Sequence, residues 1–173
     1  MTQLIPRQSV PELRVETLEN GRYQLAGQSP ENFTLIAFYR GYHCPKCRAQ
    51  LRDLEAHLGQ FREVGIDVIA ISTNTAELAQ KTKVEWNIPN LPVGYGLTIE
   101  QARTWGLYIS DSIKPSEPDR FSEPAIYVVR PDGALYAGIT FTMPFARTQA
   151  KELLGGLKYI IENDYPARGE AVG

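Results

Sequence analysis

The chain has 173 residues, 43% hydrophobic and 22% charged, enough for one domain with a hydrophobic core. Its net charge of −2 gives no basic excess for binding nucleic acid or an anionic membrane. The longest apolar stretch, Leu35 to Tyr39, is too short to span a bilayer, and Met1 to Val10 holds no apolar core of a leader. A cytoplasmic location is the default expectation. From the N-terminus, Val15–Leu18 and Arg22–Leu25 around Asn20-Gly21 read as a β-hairpin, with positive φ angles expected at both turn residues. Residues 1–30 therefore form an N-terminal hairpin extension.

Phe33 to Tyr39 is a nearly continuous apolar run, as in a strand buried on both faces. Cys44 to about Val64 reads as a helix, with Pro45 at its first position and Gly65 as its stop. Ile66 to Ser72 is a second buried strand, parallel to the first through a right-handed crossover. A helix over 75–86, a short strand over 91–95 and a helix over 98–105 follow. Thr98 and Gln101 make a capping-box pattern in the last of these. Residues 107–123 are polar, contain Pro115 and Pro118, and read as a long surface loop. Ala125–Val129 and Ala134–Thr140 are antiparallel strands joined by Arg130-Pro131-Asp132-Gly133. An amphipathic helix over 146–163 closes the chain. The expected fold class is α/β: a central mixed sheet flanked by helices, in a single domain over 1–173.

The chain has two cysteines, and they form one C-x-x-C. The apolar spacing Cys47, Leu51, Leu54, Leu58, Phe61 is one helical stripe, so Cys47 faces the core. Cys44 lies a turn earlier, at the helix tip. A helix N-terminus carries about half a positive charge and free N–H donors. Thiols so placed titrate at roughly 3.5 to 7.5, against about 8.5 when free. Arg40, His43 and Lys46 add charge nearby, so Cys44 is expected to be a thiolate at neutral pH. A zinc site needs four ligands, and His43 and His57 are the two histidines on offer; His57 points away from Cys44. No metal and no bound cofactor are expected, and inert buried thiols are an alternative of similar weight to zinc.

Phe38-Tyr39-Arg40-Gly41-Tyr42-His43-Cys44-Pro45-Lys46-Cys47-Arg48 resembles the active-site segment of thioredoxin-fold proteins. It is most similar to the peroxiredoxin-like branch of the alkyl hydroperoxide reductase and thiol-specific antioxidant family. Ile66–Ser72, Glu123–Val129 and the ending Tyr165–Ala171 resemble that family too, so the likeness covers nearly the whole chain. The resemblance implies a thioredoxin-like fold, a thiol-dependent antioxidant activity and a cis Pro124 beside the cysteines. It also implies a thiol reductant, such as a thioredoxin or glutathione system. It allows a homodimer, for which no residue marks an interface.

The chain departs from the family where chemistry is concerned. Peroxiredoxins carry Pro-x-x-x-Thr-x-x-Cys; here the Pro and Thr positions are Ala37 and Gly41. The buried acid and the tryptophan of thioredoxins are replaced by Phe38 and His43. Arg40 steadies a thiolate or peroxide, or is a solvated loop charge. His43 reads as an exposed loop histidine in preference to a proton shuttle. Tyr42 walls the site or simply packs. The sequence does not place Arg120 or Arg147, and Trp86 and Trp105 read as core.

The expected function is a peroxiredoxin-like thiol oxidoreductase: Cys44 attacks a peroxide or disulfide, and Cys47 resolves it as an intramolecular disulfide. Its rivals are a dithiol–disulfide oxidoreductase without peroxidase activity and a non-catalytic thioredoxin-fold binding module.

Overall fold

A computed structural model describes residues 3–172. In chain order the elements are β1 (Arg14–Thr17), β2 (Gly21–Gln24), β3 (Phe33–Phe38), α1 (Pro45–Glu63) and β4 (Ile66–Ile71). Then come α2 (Ala76–Glu85), β5 (Val93–Tyr95), α3 (Ile99–Thr104), β6 (Ile109–Asp111) and β7 (Arg120–Ser122). The chain ends with β8 (Ala125–Val129), β9 (Leu135–Thr140) and α4 (Ala150–Asn163).

Seven strands make one mixed sheet in the order β2-β1-β5-β4-β3-β8-β9. β3 runs parallel to β4 and antiparallel to β8, so the apolar β3 sits in the middle. Side chains alternate across it: Leu35 and Ala37 join one core with α1, while Ile36 and Phe38 join another with Trp105. This is why β3 reads as continuously apolar rather than alternating. The hairpin extends this main sheet, through β1 against β5.

Local signals in the sequence account for most boundaries. Pro45 opens α1, and Gly65, at φ +73, follows its last turn in the left-handed conformation. Thr75 caps α2, and Thr98 with Gln101 forms the capping box of α3. No helix of the described residues is long and apolar enough to cross a membrane.

Four expectations need correction. Asn20 does not take a positive φ; Gly21 alone does in that turn. Thr17 pairs with Gly21, so three residues span the turn and one left-handed position suffices to close it. Residues 107–123 are not wholly loop, because β6 and β7 pair as a two-stranded antiparallel ribbon. α4 begins at Ala150 rather than 146, where Asp53 Oδ2 accepts the Ala150 N–H at 2.7 Å and neutralises the helix start. Finally, no peptide bond among the described residues is cis, so Pro124 is trans. It enters β8 directly, and its carbonyl accepts the Phe141 N–H at 3.0 Å, an ordinary strand-start role for proline.

Candidate active site

The crossover from β3 into α1 builds the site. Tyr39 N–H still bonds Ile71 O at 3.0 Å, and then the chain leaves the sheet. Gly41 turns it at φ +137, and the Cys44 N–H closes the turn on Gly41 O at 3.1 Å. A side chain at Gly41 would meet Asn74: an ideal Cβ lies 2.7 Å from Asn74 Nδ2. The Asn74 carboxamide oxygen accepts the Tyr42 N–H at 2.8 Å and pins the loop to the end of β4.

Cys44 is the N-cap residue of α1, and its sulfur accepts the Cys47 backbone N–H at 3.2 Å. The thiol takes the place that serine or aspartate holds in most helices. Its pKa is drawn down to about 6, first by a hydrogen bond from the Cys47 thiol. The Cys47 backbone N–H, Arg147 and Arg40 help, and burial opposes them. Cys47 moves the other way, well above the ordinary thiol value, because it is buried and beside the Cys44 charge. Both cysteines are free thiols. The two thiols thus shift in opposite directions, and Cys44 is only 2% exposed, so it is not an open tip.

Two arginines stand around the dithiol, approaching from opposite ends of the sequence. Arg40 pairs with Glu123 (Nε to Oε2, 3.1 Å), and its guanidinium lies 4.9 Å from the Phe121 ring centroid. It is not a solvated loop charge. Arg147 comes from the segment between β9 and α4. Its Nη2 donates to Cys47 Sγ at 3.3 Å and lies 3.8 Å from Cys44 Sγ. Arg120 is engaged elsewhere, with Asp111 across the ribbon at 2.7 Å.

His43 is half-buried rather than exposed. Its ring packs edge-on to Phe121 at 4.7 Å, and both ring nitrogens are buried without a protein partner. Burial, then the nearby Arg40 charge, pushes its pKa down to about 4, so it is neutral at pH 7. Tyr42 stacks on Trp86 with an interplanar angle of 11°, and its hydroxyl donates to Glu85. Trp86 and Trp105 are both core residues, as expected.

The sequence reading missed Glu123, Ser110 and Phe121. The ribbon carries all three or delivers them to its end, and Ser110 Oγ donates to Glu123 Oε1 at 2.6 Å. The available signal was an acid directly before a buried strand, Glu123-Pro124-Ala125, which requires a cation nearby.

Comparison with solved structures shows that this sheet and its helices share the fold of peroxiredoxin structures. The peroxidoxin BcpB of Mycobacterium tuberculosis superposes with a TM-score of 0.73 at 16% identity, covering 91% of this chain and 99% of that one. AhpC of Enterococcus faecalis gives 0.75 at 16% identity, covering 94% and 98%. At these identities the likeness speaks for the fold. The chain belongs to the AhpC/TSA family, whose model matches residues 6–137. A probable 1-Cys peroxiredoxin of Syntrichia ruralis is 26% identical over 144 residues, which is 76% of this chain and 64% of that protein. The chain thus spans a little under two thirds of that relative's length.

Proposed function

We propose that the chain is a thiol-dependent peroxidase of peroxiredoxin type that uses both cysteines. The Cys44 thiolate attacks one peroxide oxygen; the O–O bond breaks, leaving a Cys44 sulfenic acid and an alkoxide or hydroxide, which takes a solvent proton to become an alcohol or water. Cys47 then attacks the Cys44 sulfur, and the sulfenic oxygen leaves as water. Two external thiol groups, from a thioredoxin or glutathione system, then reduce the disulfide in turn, ending as a disulfide themselves and restoring both cysteine thiols.

One observation supports this reading above the rest. The sulfur that caps α1 carries its charge in a site where the residue is 2% exposed. Such enclosure favours a small oxidant such as a peroxide over a bulky one. Mass spectrometry after one equivalent of peroxide tests it. The expected result is rapid loss of two hydrogens per chain, abolished in Cys44→Ser. Slow oxidation, with insulin or glutathione disulfide reduced quickly, would instead support a dithiol–disulfide oxidoreductase. Gly41 favours that second reading, since it carries no hydroxyl to hold a peroxide.

A further inference from the structure

The two thiols receive unequal help. Cys44 has the α1 N-terminus, the Cys47 N–H at 3.2 Å, a nearby Arg40 and, at 3.8 Å, Arg147. Cys47 is fully buried within the apolar stripe of α1. Arg147 touches it, with Nη2 0.5 Å nearer to Cys47 Sγ than to Cys44 Sγ (3.3 against 3.8 Å). Among the described residues no carboxylate forms a salt bridge with Arg147, whereas Arg40 has Glu123. Arg147 is instead fixed by Nη1 donating to the Pro144 carbonyl, with its guanidinium 5.9 Å from the Phe141 ring centroid. A guanidinium without a carboxylate, held against a buried sulfur, is placed to meet negative charge on that sulfur.

We propose that Arg147 is the catalytic cation of the resolving cysteine, carrying the charge on Cys47 while the Cys44–Cys47 bond is made and broken. The proposal rests on the two-cysteine cycle described above. In closure, the Cys47 thiol gives up its proton and its thiolate attacks the sulfur of Cys44 sulfenic acid. The S–OH bond breaks, and the hydroxide leaves as water with that proton. In reduction, an external thiolate attacks Cys44 Sγ. The S–S bond breaks, and its electron pair goes to Cys47, where Arg147 meets it until a solvent proton arrives. In both directions the demanding species is a buried Cys47 thiolate. Arg40 and the helix tip serve the first attack, with Arg147 farther off at 3.8 Å; Arg147 stands closer to the second sulfur, at 3.3 Å.

The test is single-turnover oxidation by peroxide of wild type, Arg147→Gln and Arg147→Lys, following thiolate loss and disulfide closure separately. In Arg147→Gln, closure slows by about tenfold or more, the equivalent of one pKa unit or above, and by clearly more than Cys44 oxidation, which keeps the helix N-terminus and Arg40. The sulfenic acid then accumulates as a dimedone adduct, and excess peroxide drives it to sulfinic acid. Arg147→Lys, which keeps the charge, recovers part of the closure rate. Closure at the wild-type rate in Arg147→Gln overturns the proposal. So does equal slowing of oxidation and closure, because that assigns Arg147 to Cys44 or to the fold.

A small aromatic disulfide as oxidant separates this proposal from the peroxidase reading. If peroxide fails to oxidise the wild type, the peroxidase reading falls. Arg147 is then judged on release of the second aromatic thiolate from the Cys44 mixed disulfide. Slower release in Arg147→Gln supports the proposal, and unchanged release overturns it.

Discussion

The Glu123 carboxylate stands 3.1 Å from Arg40 Nε, joining the end of β7 to the loop that precedes Cys44. Glu123 is buried, and Ser110 holds its other oxygen at 2.6 Å. Glu123→Leu strands the Arg40 charge and leaves Ser110 without its acceptor. The expected loss of stability is about 2–4 kcal/mol, between the cost of an unsatisfied polar group and that of an unpaired buried charge. Urea unfolding of the reduced protein measures it. Glu123→Gln keeps an acceptor for Ser110 and loses less.

Cys44 titrates near 6 in the folded protein and in the ordinary thiol range when unfolded. Between those values the unfolded chain binds the extra proton, so stability of the reduced protein rises with pH from about 6 to about 9. It is lost as pH falls through 6. Thermal unfolding of wild type against Cys44→Ser across this range shows a gap that widens with pH. Iodoacetamide alkylation of Cys44 inflects at the same pH near 6.

His43, at about 4, takes no part in that inflection. Its neutral ring packs on Phe121, and protonation would put a second charge beside Arg40. The imidazole proton resonances are expected to titrate with a midpoint near 4. His43→Gln leaves the alkylation inflection of Cys44 in place. A shift of that inflection by a full unit would show His43 to be coupled to the thiolate.

Gly41 occupies the position where a peroxiredoxin-like threonine hydroxyl would hold the peroxide. Its φ of +137 and the Asn74 amide, 2.7 Å from an ideal Cβ, both oppose a β-branched residue. Gly41→Thr is therefore expected to cost about 1–3 kcal/mol in strain and displacement. It is not expected to raise the peroxide rate. Melting temperature and single-turnover oxidation report both effects.

The contrast between Cys47 and Arg147 shows how far the sequence could be read. Cys47 falls on a stripe with Leu51 and Leu54, four and seven residues away, so helical periodicity alone aims it inward. Caps at Thr75 and Thr98, and the stop at Gly65, are short-range chemistry of the same kind. Arg147 meets the sulfurs from 100 residues away, through a segment that precedes α4. No periodicity reports such a contact. The ribbon hid for another reason: β6 and β7 are three residues each, flanked by prolines and charges. Its one strong apolar anchor, Phe121, stands alone among polar neighbours. Glu123 was visible as a residue, yet its partner Arg40 depends on where that ribbon lies.

The sulfur that caps α1 is also the one the proposed cycle oxidises. In that cycle each oxidation replaces an anionic acceptor for the Cys47 amide with a neutral sulfur, weakening the cap on the first turn of a 19-residue helix. Reduction restores the cap. The helix itself thus favours the dithiol form and adds to the oxidising power of the disulfide, as capping free energy is returned whenever the bond is opened.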